Sequence, residues 1–257
     1  MRVLSTWHQY AFVIRQLTAR ELKRKYARSS LGILWSILNP LLSMAVLSLI
    51  FLNMFRRSIE NYPIYYLTGY LVWQTFTLAT TSAMTALPDN KPLLLKVRFP
   101  MDIFLLARVY TAGVNLVYSL IAYAVMLIVF GISFKWTMLL APVYFFLLFC
   151  FSLGMSYLLA VACVFFGDVR HLYTVLLTLW MYCSALFYPV SQLSEFMQTV
   201  VRMNPIYAYI SSLRGAVLDG TLPSGLVWLQ MLCFGILTLL LGRTVFKFYR
   251  KKIVEFL

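Results

Sequence analysis

Long apolar runs, separated by short clusters of charge, proline and glycine, limit what this chain can fold into. They fall at about 31–55, 63–87, 103–131, 136–166, 172–190 and 223–246. Each can cross roughly 30 Å of hydrocarbon at about 1.5 Å per helical residue. With 62% of residues apolar and 12% charged, the chain has too little polar surface to cover a water-facing exterior. A soluble globule is excluded. The expected fold class is all-α: a polytopic membrane protein of six transmembrane helices, forming one domain over 1–257 with no internal repeat.

The net charge of +14 acquires its meaning from that fold. An even number of spans puts both termini on one side. Seventeen of the 22 Lys and Arg residues then collect on one face, in segments 1–30, 88–108, 170 and 243–252. The other five are Arg56, Arg57, Lys135, Arg202 and Arg214. Cytoplasmic loops carry the Lys/Arg excess, so both termini are expected in the cytoplasm. The charge is a topology signal and gives no reason to invoke nucleic acid. Residues 1–28 lack an uninterrupted apolar core and a small-residue cleavage site, so they are not expected to be removed as a signal peptide.

Two segments behave neither as spans nor as simple loops. In 1–30, Val3, Trp7, Tyr10, Ile14 and Leu17 recur at steps of four and three, which predicts an amphipathic helix lying at the membrane interface. A solvated N-terminal helix is the alternative. Segment 191–222 is too polar to span but keeps apolar residues at helical spacing around a break at Asn204-Pro205. It predicts either two short re-entrant helices on the outer side or a plain external helical hairpin.

Residues that carry chemistry are scarce. Cys150, Cys163, Cys183 and Cys233 lie scattered in apolar runs without the spacing of a disulfide framework or zinc site. All eight Asp and Glu residues sit in connections or at span ends, which disfavours an ion-coupled carrier. No phosphate-cradling G-x-x-x-x-G-K-[ST] loop is present, so uphill transport would draw its energy from another polypeptide.

Aromatic side chains, in contrast, cluster in two spans: Tyr66, Tyr70, Trp73 and Phe76 in the second, and Trp180, Tyr182, Phe187 and Tyr188 in the fifth. They read as packing and interfacial belts, or as a conduit on which sugar rings stack. The connection 88–100, with Asp89, Asn90, Lys91, Lys96, Arg98 and Phe99, brackets an apolar Leu93–Leu95 step between prolines. It predicts a short helix parallel to the membrane, either a docking peg for a partner or a linker resting on headgroups.

The run from Arg20 to Leu41, RELKRKYARSSLGILWSILNPL, resembles the start of the first span in type-2 ABC export permeases for lipid-linked polysaccharides such as O-antigen and wall teichoic acid. Asn90-Lys91, Phe99-Pro100, Phe166-Gly167-Asp168-Val169 and Asn204-Pro205-Ile206-Tyr207 agree in order along the chain, though Gly167 stands where members often carry Arg or another polar residue. The resemblance implies a transport subunit, not an enzyme, in the bacterial cytoplasmic (inner) membrane. It implies a homodimer joined to two copies of a separate ABC ATPase, with ATP and Mg on that partner and no cofactor on this chain.

In that family the segment Asp89 to Phe99 would be the coupling helix, seated against the ATPase. Asn204, Pro205 and Tyr207 would belong to external gate helices. A glycan on undecaprenyl diphosphate would enter between the first and fifth spans and thread the aromatic conduit. Arg24, Lys25 and Arg28, nearest the first span, are the candidate contacts for its diphosphate headgroup, or they only fix topology and bind anionic lipid. The competing functions are a type-2 permease for a drug or another lipid, and a membrane transferase acting on polyprenyl lipids.

Overall fold

In lipid a lone apolar segment satisfies its backbone polar groups only as a helix, and this chain is helical through most of its length. The computed structural model describes residues 2–27, 29–55, 59–96 and 100–256. Among the described residues no strand forms, and the architecture is that of an all-α polytopic membrane protein.

Helix α1 (Arg2–Tyr26) lies against α6 (Asp102–Val129). Tyr10 and Ile14 are half-buried and Leu17 is buried, as the periodicity predicts, while the side chains of Val3 and Trp7 lie outside the described residues. A 3-10 turn, Gly32–Leu34, leads into α2 (Trp35–Phe55). Next come α3 (Tyr62–Met84) and two short helices, α4 (Ala86–Asp89) and α5 (Lys91–Lys96). After α6, the 3-10 turn Trp136–Leu140 opens α7 (Ala141–Phe165), followed by α8 (Val169–Tyr182). Helices α9 (Glu195–Met203) and α10 (Pro205–Arg214) meet at Asn204, where the break was predicted. The chain then runs through α11 (Gly225–Phe256).

Among the described residues four stretches are long and apolar enough to cross a membrane: Gly32–Phe51, Asp102–Val129, Trp136–Phe165 and Gly225–Phe256. The other two expected spans differ in kind. Helix α3 has the length, 23 residues, but its Tyr, Thr and Gln side chains lower its hydropathy. Helix α8 does not run on to 190; it has 14 residues, about 21 Å at 1.5 Å per residue, short of a hydrocarbon core. The backbone leaves the helix at Cys183, and Ala185 adopts a positive φ of 48°. At the other extreme, α11 continues about ten residues past the expected end. Its basic residues do not break helix, and Phe246 and Ile253 keep one face buried to the last turns.

Helix α3 is the axis of the bundle. Tyr62, Ile64, Tyr66, Leu67, Leu71 and Phe76 are all at most 2% exposed, packed among α6, α7 and α10. Helices α7 and α11 approach so closely that a Cβ on Gly242 would collide with the Gly154 carbonyl, and a Cβ on Gly154 with the Thr238 backbone. Lipid supplies no hydrophobic drive between such helices, so close backbone packing at small residues carries the association.

Candidate functional site

At one end of the bundle, charged residues from α1, α4 and α6 converge. Arg108 of α6 donates from Nη1 to Glu21 Oε2 at 2.6 Å and from Nη2 to Asp89 Oδ2 at 2.9 Å, one guanidinium bridging two carboxylates on different elements. The side chains of Arg108 and Glu21 are only 12% exposed, so water screens this pair weakly. Thr85 donates a second hydrogen bond to Asp89 at 2.8 Å. Arg20 lies 3.5 Å from Glu21 and donates to the Asn90 side-chain oxygen, while Asn90 donates to the Ala86 carbonyl at 2.8 Å.

The expected coupling residues therefore divide. Asn90 is buried and Asp89, though exposed, pairs with Arg108, so the two tie the α4–α5 segment to α1 and α6, whereas Lys91 and Lys96 stand exposed without such a tie among the described residues. Arg98 and Phe99 lie outside the described residues.

Beside this network a cleft of about 320 Å³ is lined by Glu21, Arg24 and Lys25 of α1, Ser82 of α3, and Thr111 and Asn115 of α6. Asn115 anchors its floor. The Asn115 side-chain oxygen accepts from Ser36 at 2.9 Å, Tyr26 at 3.3 Å and Lys25 at 3.4 Å, and its amide donates to the Thr111 carbonyl at 2.8 Å. Among the described residues neither Arg24 nor Lys25 pairs with a carboxylate, so the cleft carries uncompensated positive charge. The third candidate, Arg28, lies outside the described residues. A larger apolar groove, about 620 Å³, adjoins the start of α2 and is lined by Leu22, Tyr26, Leu31, Ile33 and Leu34, with Lys23 also on its wall.

The aromatic residues of the second and fifth expected spans lie together within the chain, some buried in the core and others partly accessible. Tyr66, Trp73 and Phe76 are buried in the core. Tyr66 sits 5.4 Å from Tyr70 and 5.9 Å from Phe187, and Phe76 lies 5.3 Å from Trp180 and 5.4 Å from Phe151, centroid to centroid. Tyr70, Trp180, Phe187 and Tyr188 are half-buried, and Tyr182 is exposed. Tyr188 donates to the Tyr182 carbonyl, closing the loop that follows α8.

At the opposite end of α3, Asn204 joins α10 to that loop. Its side-chain oxygen accepts from the Ile206 amide at 2.9 Å and the Trp180 indole at 2.8 Å; its amide donates to the Cys183 carbonyl and the Ser184 hydroxyl, both at 2.9 Å. Pro205 takes the first helical position, where its missing N–H costs nothing. Tyr207 is half-buried on the same helix.

Arg214, at the end of α10, was read from sequence as an outer-face charge and is in fact 6% exposed. It has no carboxylate partner among the described residues. Instead Nε donates to the Tyr65 carbonyl at 3.1 Å, and Nη1 and Nη2 donate to Ala185 and Leu186 carbonyls at 2.9 Å each. The Tyr65 ring packs 3.5 Å from the guanidinium carbon, a cation–π contact. Gly69 makes room, since a Cβ there would lie 2.6 Å from Nη2. The one available signal was Arg214's place within the apolar helical spacing of Ile206, Ile210, Leu213 and Val217.

A model of the ABC-2 type transporter family matches residues 13–218. Over 257 residues the chain is 30% identical to the O-antigen export system permease protein RfbA of Myxococcus xanthus, covering 99% of each. It is 28% identical to the protein of the same name from Klebsiella pneumoniae, over 94% of this chain and 93% of the relative. The polysialic acid transport protein KpsM of Escherichia coli is 24% identical over 91% of this chain and 92% of the relative.

Proposed function

Because the chain belongs to the ABC-2 type transporter family, we propose that it is the permease subunit of an ATP-driven exporter, moving a cell-surface glycan on undecaprenyl diphosphate out of the bacterial cytoplasm. The observation that carries this reading is the similarity over nearly the full length to permeases named for O-antigen export. The subunit works as a homodimer with two copies of an ABC ATPase, which bind the ATP and Mg. Both termini face the cytoplasm, as the distribution of Lys and Arg supports.

In this arrangement Lys91 and Lys96, together with Arg98 and Phe99, meet the ATPase. Asp89 and Asn90 hold that segment in place from within. Arg24 and Lys25, with Arg28, receive the diphosphate headgroup; the unpaired positive charge of their cleft supports the assignment. Of the aromatic set, Tyr182, Tyr70, Phe187 and Tyr188 offer partly accessible faces to a glycan, supported from behind by Tyr66, Trp73, Phe76 and Trp180. Asn204, Pro205 and Tyr207 form the outer gate with α9 and α10.

The test is export by the permease reconstituted with its ATPase in vesicles. ATP-dependent transfer of a defined undecaprenyl-diphosphate-linked glycan across the bilayer is the expected result. Transfer of a drug or phospholipid in its place would overturn the reading.

A further inference from the structure

Arg24 and Lys25 share their cleft with one acid, Glu21, which is a neighbour of both at helical spacings of three and four. An anion bound there competes with that carboxylate for the two cations. Glu21 does not compete freely, because Arg108 holds it at 2.6 Å, and Arg108 also holds Asp89, the last residue of α4, at 2.9 Å. Asp89 is two residues from exposed Lys91. The charge presented by the cleft thus depends on where the α4–α5 segment sits.

We propose that Arg108 is a positioning residue that sets the affinity of the Arg24/Lys25 cleft for a phosphate or diphosphate according to the position of the α4–α5 segment; this rests on the headgroup assignment above. With Arg108 between Glu21 and Asp89, Glu21 is neutralised and the cleft attracts an anion. When Asp89 draws the guanidinium off, the freed carboxylate turns to Arg24 and Lys25 and the anion is released. Arg20, 3.5 Å from Glu21 but half exposed, compensates only in part. By linkage, an anion in the cleft favours the α4–α5 position that keeps Arg108 on Glu21, so substrate and docking segment sense each other.

The experiment measures equilibrium binding of inorganic pyrophosphate and of geranylgeranyl diphosphate to the full-length permease in lipid nanodiscs. Arg108→Gln is expected to weaken both by about tenfold, the scale of one weakly screened charge within a few ångströms. Adding Glu21→Gln to Arg108→Gln is expected to restore wild-type affinity, which a folding defect would not allow. Unchanged affinity in Arg108→Gln, or no recovery in the double variant, overturns the proposal and leaves the headgroup reading standing. Wild-type protein that binds neither probe overturns that reading and the proposal with it. Tighter binding of the prenyl diphosphate identifies a lipid headgroup as the source of the anion; equal binding identifies a soluble phosphate, and both support the site. In the complex with its ATPase, ATP is expected to change the wild-type affinity and not that of Asp89→Asn; the same change in both overturns the link to α4–α5.

Discussion

Replacing Arg214 with Lys keeps the charge and removes the fork that spans three carbonyls. An ammonium can reach one of the Tyr65, Ala185 and Leu186 oxygens in place of the three held at 2.9 to 3.1 Å. Two hydrogen bonds to a charged donor are lost, at about 1.5–3 kcal/mol each. The flat contact on the Tyr65 ring is lost as well, since an ammonium does not stack. The expected destabilisation is therefore about 3–6 kcal/mol, large for a conservative substitution. The release should be local, because Ala185 and Leu186 lie in the non-helical stretch that ends α8.

Cys183, half-buried two residues before Ala185, reports on it. In a background with Cys150, Cys163 and Cys233 replaced by Ala, maleimide labelling of Cys183 should accelerate in Arg214→Lys, together with a lower thermal midpoint in detergent. Gly69→Ala should do the same by displacing Nη2. Arg214→Lys protein that melts with the wild type and labels at the wild-type rate would refute the argument that these carbonyls depend on the guanidinium.

Gly242→Val should prevent α7 and α11 from closing, costing about 1–3 kcal/mol or more by overpacking, while Leu240→Ala on the exposed face of α11 should leave the melting temperature unchanged. Asn204→Leu leaves the Trp180 indole N–H and the Cys183 carbonyl without their side-chain partner, at about 1–3 kcal/mol per buried group; a shift in tryptophan emission would follow the loosened indole. Lys91→Glu with Lys96→Glu should weaken co-purification of the ATPase and leave permease melting unchanged. Asp89→Asn should lower the permease's own melting temperature, because its carboxylate accepts from Arg108 and Thr85 of the same chain.

Apolar run length and charge placement made most of the helices legible, since both are local properties. Helix α6 ends at Val129, close to the expected 131, and α7 ends at Phe165, close to the expected 166. The end of α8 was not legible. Nothing between Leu172 and Val190 except Pro189 marks a break, and the carbonyls that leave the helix are captured by a residue 28 and 29 positions away. The same holds for Asp89 and Asn90. Their composition suits a solvent-facing peg, but Arg108 and Arg20 come from other helices to claim them. Aromatic clustering in two segments did not say which rings face inward: Phe76 is fully buried because Phe151 of α7 packs on it, whereas Tyr182, set against Phe187, stays exposed.

The two ends of the bundle hold a buried and a half-buried arginine by different means, and the difference bears on which end can move. Arg214 is fixed by backbone carbonyls of α3 and of the loop after α8, groups that cannot change rotamer, so it ties α10, that loop and the start of α3 together. Arg108 is held by two carboxylates on separate elements, side chains that can rotate, so its balance between them can follow the position of the α4–α5 segment as proposed above. If the subunit is driven from the cytoplasm as proposed, it needs its adjustable joint where the drive enters and its rigid joint where the path is shaped. Under the proposed function, the Arg108 end, beside exposed Lys91 and Lys96, would be the first of these joints, and the Arg214 end, beside the aromatic cluster, the second.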